Sequence, residues 1–484
     1  MIFIHHHDPF DSVRMSSNFI WAVATAAYQI EGGKDTDGRT PSMWDAIREI
    51  PGRIKDGSSK DLSCDGRNKY REDVQLIKSL GVTHYRFSID WSRVMKNGKT
   101  RNPVGMEYYK DLCRELMKER IQCIVTLFHA DLPLDLYNEG SWLTEGIIDR
   151  FVEFARYCYE ELNEFVSIWI TFNEIRMHAW AGVVKVEGEP FHSLDIDYKK
   201  FLGDVSVTRA VMIASRNMLL AHAKVYRLFH EKNDSSKVGI IVGAHSCMDA
   251  EGEKISAVSE RATKSMVNLY LDPLIHPSND WTEDMKKYLG INLPPWSEDE
   301  KKLLKNTIDI LCLNYYRPHI VKEGKGPSLV EELFNFTMVD DDWPKIGGES
   351  SWVRLHPRGL ISLLEGLKEE GMKYPNVPIL ISENGVNDDP SLNSLKDTNR
   401  IQYIEAHIDA ILEARRSGIN VIGYTAWSLM DNLEWDDGFD VRFGLFQVDL
   451  KSEEKTRTPK MSVNWYRKKI EKERRDETMN KEVK

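Results

Sequence analysis

Nowhere in its 484 residues does the chain hold an apolar run close to the roughly 18 residues that a membrane-spanning helix needs, so no membrane partner is expected. Positive charge is not in excess either. The 65 Lys and Arg are outnumbered by 76 Asp and Glu, for a net charge of −11. With no basic stripe to neutralise phosphates, a nucleic-acid partner is not expected. Cysteine is sparse: the six at 64, 113, 123, 158, 247 and 312 show none of the paired spacings of a zinc site. Cys123 and Cys312 sit in apolar runs and read as small core residues. The start, MIFIHHHDPF, lacks a basic region, and its apolar stretch is broken by histidines, so it does not read as a secretory leader. His5, His6 and His7 read as part of a disordered terminus rather than a metal site. Two glycosylation sequons, at Asn233 and Asn335, are short enough to arise by chance. These features together predict a cytoplasmic protein, and no metal or cofactor is expected.

What is present is an ordinary globular composition, 41% hydrophobic and 29% charged, able to bury a large core. Strand-like runs fall near 19–25, 83–89, 121–128, 165–172, 238–244, 308–315, 377–383 and 421–427. Helical periodicity occupies Tyr70–Leu80, Met106–Glu119, Ile147–Leu162, Val207–His230, Leu355–Glu369, Asn399–Arg416 and Ser462–Glu471. Strands alternating with helices imply parallel βαβ units. Eight of them predict an α/β fold of the closed (β/α)₈ barrel type, a single domain over residues 18–471. No GxGxxG follows the first strand, which argues against an open dinucleotide-binding sheet. Residues 1–17 are expected to be disordered and 472–484 to form a charged tail. The segments 27–64, 245–300 and 317–354 would be extended rim loops with short helices of their own.

Two of the strand-like runs end in an unusual way. WITFNE, from Trp169 to Glu174, is an apolar strand that closes on an amide and an acid. PILISENG, from Pro378 to Gly385, repeats the pattern with Ser382, Glu383 and Asn384. Carboxylates are rarely buried without a reason. In a barrel the carboxyl ends of the strands share one mouth, so Glu174 and Glu383 would face each other there. Two opposed carboxylates are what glycoside hydrolysis requires. Arg86, His129, Asn314 and Tyr316 also emerge from apolar runs at strand ends. Each alone reads as a satisfied rim residue, but together they point to one site.

The motifs AYQIEG (27–32), YRFSI with WSR (85–93), TFNE (171–174), LNYY (313–316), SENG (382–385) and WSLMDNLEWDDGFDVRFGL (427–445) are those of a known group. From Phe19 to Trp465 the chain resembles glycoside hydrolase family one, the β-glucosidase, myrosinase, lactase and klotho group. The resemblance implies a retaining β-glycosidase acting on unphosphorylated glucosides or galactosides. Glu383 would be the nucleophile and Glu174 the acid/base, with carboxyls about 5–5.5 Å apart. Arg86 would stabilise the nucleophile's anion, Tyr316 would orient it, and Asn173 would hold the sugar 2-hydroxyl. Gln29, His129, Glu434 and Trp435 would bind the other hydroxyls, Trp427 would lie under the ring, and Trp352 would face the aglycone. The acid at Glu434 would repel a phosphorylated sugar.

The same resemblance exposes departures. Ala130 stands in HADLP where the family usually has an aromatic, Ile175 replaces a common proline, and 186–190 reads Val-Glu-Gly-Glu-Pro in place of a Gly-rich stretch. The alternative is a klotho-like, weakly active or inactive co-receptor on the same barrel, since fold alone does not separate the two. A metal-dependent hydrolase would need a His and Asp cluster, for which only His129 and His245 qualify.

Overall fold

Alternation of short β-branched runs with amphipathic segments builds the barrel directly. In the computed structural model, which describes residues 19–482 apart from 60, 181, 184–193, 195, 232–235, 250–254, 350 and 370–376, eight parallel strands close on themselves. They are β1 (Ile20–Ala24), β2 (His84–Ser88), β3 (Gln122–Phe128), β4 (Val166–Phe172), β5 (Lys237–Gly243), β6 (Ile310–Asn314), β7 (Ile379–Asn384) and β8 (Val421–Trp427). Each neighbours the next, and β1 pairs with both β2 and β8. Every predicted run supplies one strand.

The pleat divides each strand between two cores. Alternate residues such as Ile20, Ala22, Ile124, Ile168, Ile170, Ile241, Cys312 and Leu380 fill the barrel axis. Their neighbours Trp21, Val125, Trp169 and Val242 pack outward against the helices. Each fully buried Ile or Leu contributes about 1.5–3 kcal/mol over exposure. Gly423 on β8 makes the axial layer fit, because a Cβ there would lie 2.6 Å from both Ile20 Cβ and Leu380 Cδ1.

The outer layer holds the expected helices: Gly66–Ser79, Pro103–Lys118, Gly146–Leu162, Val207–His230, Arg358–Glu369, Thr398–Arg416 and Met461–Glu482. The last continues past Glu471, where the sequence reading placed the start of a charged tail. Short helices occupy the rim segments, among them Met43–Ile47, Ala257–Met266 and Leu329–Phe334. No helix among the described residues is long and apolar enough to cross a membrane. The expected terminus 1–17 and the altered stretch 186–190 lie outside the described residues.

Candidate active site

Strand geometry aims the functional groups before any substrate is considered. Arg86 pairs in register with Ile124 and Ala24, so it shares their inward face and sits fully buried beneath the barrel mouth. Glu383 reaches the mouth differently. Leu380 and Ser382 share the axial side of the pleat, which would turn Glu383 outward. A register shift between Ile381 and Glu383, against β6, re-aims it. Glu174 lies two residues beyond the end of β4, at a backbone φ of 42°. Gly243 at the end of β5 packs directly against it, a Cβ there lying in ordinary contact at 3.4 Å from the Glu174 carboxyl carbon.

The two carboxylates meet opposite surroundings. Arg86 Nη1 donates to Glu383 Oε1 at 2.6 Å, and the Tyr316 hydroxyl donates to Oε2 at 2.8 Å. Both oxygens are therefore acceptors, as an ionised carboxylate requires. The remaining Arg86 donors reach Asn173 Oδ1 (2.8 Å), the Ser382 carbonyl (3.0 Å) and Thr126 Oγ1 (3.1 Å). With four of its five N–H groups bonded, one of them to a carboxylate, a buried guanidinium persists. Among the described residues Glu174 has a single neutral donor, Asn314 Nδ2 at 2.9 Å from Oε1. Burial first, and then the nearby negative Glu383, push its pKa up to about 7. Asn314 also donates to Asn173 Oδ1 and accepts from Ser382 Oγ, tying the ends of β4, β6 and β7 together.

A cavity of about 600 Å³ opens over this pair. Asn173, His129, Trp427, Glu434 and Trp435 line its inner part, with Tyr316 and the half-exposed Trp352 farther round. The His129 ring lies 6.0 Å from those of both Trp427 and Trp435, stacked on each, and its Nδ1 has no partner. Burial and the nearby Arg86 hold its pKa well below the usual histidine range, so it is a neutral ring. Glu434 is pushed up to about 8 by burial, with Asp437 and the two catalytic-mouth acids adding to it. Gln29 sits behind the wall and does not line the cavity. Its Nε2 donates to the Leu433 carbonyl (2.6 Å) and Asn432 Oδ1 (3.0 Å), while Oε1 has no partner. Trp352 packs edge-on to Tyr316 at 5.2 Å.

Three residues of this lining, Ala130 (φ 75°), Glu174 (φ 42°) and Trp435 (φ 47°), hold the left-handed backbone that non-glycine residues avoid. Such strain costs about 1–3 kcal/mol each and concentrates at functional sites. Sequence reasoning passed over Met177, Met266, Met338 and His319, which line the same cavity, and weighed His245 beside them only as a metal ligand. They come from rim segments without a strand-end pattern to mark them. Asn314 was visible as a polar strand end, but its link to Glu174 was not.

An eight-stranded parallel barrel with two opposed, differently held glutamates at its mouth defines a glycoside hydrolase. The comparisons narrow this. A profile described as glycosyl hydrolase family 1 matches residues 12–475. Beta-glucosidase 8 of Arabidopsis thaliana is 35% identical over 474 residues, covering 95% of this chain and 90% of that protein. The solved aphid myrosinase is 33% identical, with a TM-score of 0.85 over 95% of this chain and 99% of its own. A rice β-glucosidase mutant, solved in a covalent complex with Glc, is 29% identical with a TM-score of 0.83 over 94% and 98%. The chain belongs to glycosyl hydrolase family 1. It is a retaining β-glycosidase.

Proposed function

We propose that the protein hydrolyses unphosphorylated β-glucosides or β-galactosides, with Glu383 as nucleophile and Glu174 as acid/base. The observation that carries these roles is the unequal holding of the two acids: Arg86 and Tyr316 on one, Asn314 alone on the other. In the first step a Glu383 oxygen bonds the anomeric carbon as the bond to the leaving oxygen breaks, and Glu174 gives that oxygen its proton. In the second, Glu174 takes a proton from water, whose oxygen displaces Glu383. A Glu174 pKa near 7 suits a group that must give and then take a proton near neutrality.

Asn173, fixed by Arg86 and Asn314, presents its amide nitrogen to the sugar 2-hydroxyl, a contact that strengthens in the transition state. His129, Glu434 and Trp435 take other hydroxyls, and the unpartnered Oε1 of Gln29 supports a contact from behind. Trp427 supplies the apolar face for the ring, and Trp352 flanks the aglycone. Besides burial, the negative charges of Asp437 and Glu383 raise Glu434, and they would equally repel a sugar phosphate placed there, which favours a neutral sugar. The intact Arg86–Glu383–Tyr316 arrangement disfavours an inactive co-receptor. A reducing, cytoplasmic setting belongs to the same proposal, supported by six buried, free thiols.

The test is incubation with a 2-deoxy-2-fluoro-β-glucoside bearing a good leaving group, then peptide mass mapping. A stable glycosyl adduct on Glu383 is expected. An adduct on another residue, or none while activated glycosides go unhydrolysed, would overturn the assignment.

A further inference from the structure

Tyr316 orients Glu383 only as well as Tyr316 is itself held. It lies two residues beyond the end of β6, in a stretch, 315–318, that belongs to no strand or helix. Its carbonyl accepts one hydrogen bond among the described residues, from the Tyr403 hydroxyl at 2.5 Å. Tyr403 comes from the outer helix Thr398–Arg416, is fully buried and does not line the catalytic cavity. No step of the retaining reaction uses it.

The groups themselves fix the direction of each bond. A carbonyl only accepts, so the Tyr403 phenol donates to Tyr316. The same phenol oxygen accepts from Asn384 Nδ2 at 3.1 Å, and that amide also donates to the Tyr315 carbonyl at 2.8 Å. Asn384 Oδ1 accepts from the Tyr424 hydroxyl at 2.9 Å, which settles the amide's orientation. Asn384, Tyr403 and Tyr424 are all 0% exposed. Burial, and then the nearby Tyr315 phenol, hold the Tyr403 pKa well above the usual phenol range, so it stays a donor. A directed chain therefore runs from Asn384, beside the nucleophile, through Tyr403 to the backbone of the residue that grips the nucleophile. Bonds linked in this way strengthen one another in a low-dielectric interior.

We propose that Tyr403 is a positioning residue for the reaction, anchoring the Tyr316 backbone so that the Tyr316 hydroxyl stays on Glu383 Oε2. This rests on the reading of Glu383 as nucleophile given above. Tyr403 bonds neither Glu383 nor any residue assigned to the sugar, so its effect passes through Tyr316. Asn173, His129 and Trp427 stand at the ends of other strands and keep their places without it. Losing the anchor therefore slows the displacement at the anomeric carbon and leaves glycoside binding as it was.

The experiment is a double-mutant cycle in the full-length protein, read as kcat and KM on 4-nitrophenyl β-D-glucoside. Its members are the wild type, Tyr403→Phe, Tyr316→Phe and the variant carrying both. Tyr403→Phe keeps the ring that packs on His407 at 4.1 Å and removes only the hydroxyl, so the fold is retained. It should lower kcat about 5–10-fold and leave KM within about twofold. Tyr316→Phe should lose at least as much. The double variant should match Tyr316→Phe within about twofold, because an anchor does nothing once the hydroxyl it aims is gone. Tyr466→Phe is the control for general loosening. It deletes another buried phenol, which donates to the Ala22 carbonyl on β1 at 3.0 Å, and kcat should not change. Losses that multiply in the double variant would overturn the inference, as would a larger loss in Tyr403→Phe than in Tyr316→Phe. Wild-type kcat in Tyr403→Phe, or an equal loss in Tyr466→Phe, would overturn it too. All of these leave the proposed function standing, provided the wild type forms the fluoroglucoside adduct on Glu383. Absence of that adduct together with absence of turnover would overturn the functional reading itself.

Discussion

Glu174 and Glu383 are the same residue type, each next to an asparagine, facing one another across the same barrel mouth. Glu383 is gripped at both oxygens, by a cation and by a phenol. Glu174 has one amide, and burial beside a like charge carries it to about 7. Three neighbouring side chains, Arg86, Tyr316 and Asn314, together with burial, thus separate a nucleophile from a proton donor of the same residue type. Retaining chemistry depends on that difference more than on either acid alone.

Removing the nucleophile breaks the comparison most completely. Glu383→Gln should reduce turnover of activated and unactivated β-glucosides alike by at least about 10⁴-fold. Titration of the labelled glutamates in that variant should show the Glu174 pKa falling, because the negative neighbour is gone. An unchanged Glu174 would mean that burial alone sets it. Glu174→Gln should cost about 10²–10⁴-fold on alkyl glucosides yet spare bond cleavage in dinitrophenyl glucosides, whose leaving group needs no proton. Equal losses on both would sink its role as the acid.

Smaller changes sharpen the contrast. Tyr316→Phe removes one of the two grips on Glu383, and a hydrogen bond to a charged group is worth about 1.5–3 kcal/mol, so kcat should fall about 10–100-fold. Wild-type kcat/KM should decline above about pH 7 as Glu174 loses its proton. Asn314 favours the ionised form, so Asn314→Ala should move that decline to higher pH, measured as a pH–rate profile. Glu434 gives the smallest effect. Its folded pKa of about 8 lies above the ordinary value of 4.5, so the folded protein holds the extra proton between these values and loses stability as pH rises through them. Glu434→Gln should remove that loss and raise Tm at pH 9 by about 1–2 °C.

Much of this was legible in the chain itself. All eight strands were, because buried parallel strands read as short apolar runs and the helices between them keep their own period. Both glutamates were, because an acid closing such a run is rare. The position of Gln29 behind the wall was not, nor was the outer wall of Met177, Met266 and Met338, since neither follows from a periodic pattern.

The order of strands and helices, the two acids, Arg86, Tyr316 and the substitution at Ala130 are properties of the sequence alone, carried by local composition and spacing. Tertiary structure decided how they act. The shift between Ile381 and Glu383 turned the nucleophile into the mouth, and closure of the barrel brought Arg86 from β2 against β7 and Asn314 from β6 against Glu174. Hydrogen bonds, burial and like-charge repulsion act between atoms adjacent in space. Arg86 and Glu383, 297 residues apart in the chain, become neighbours only when the sheet closes.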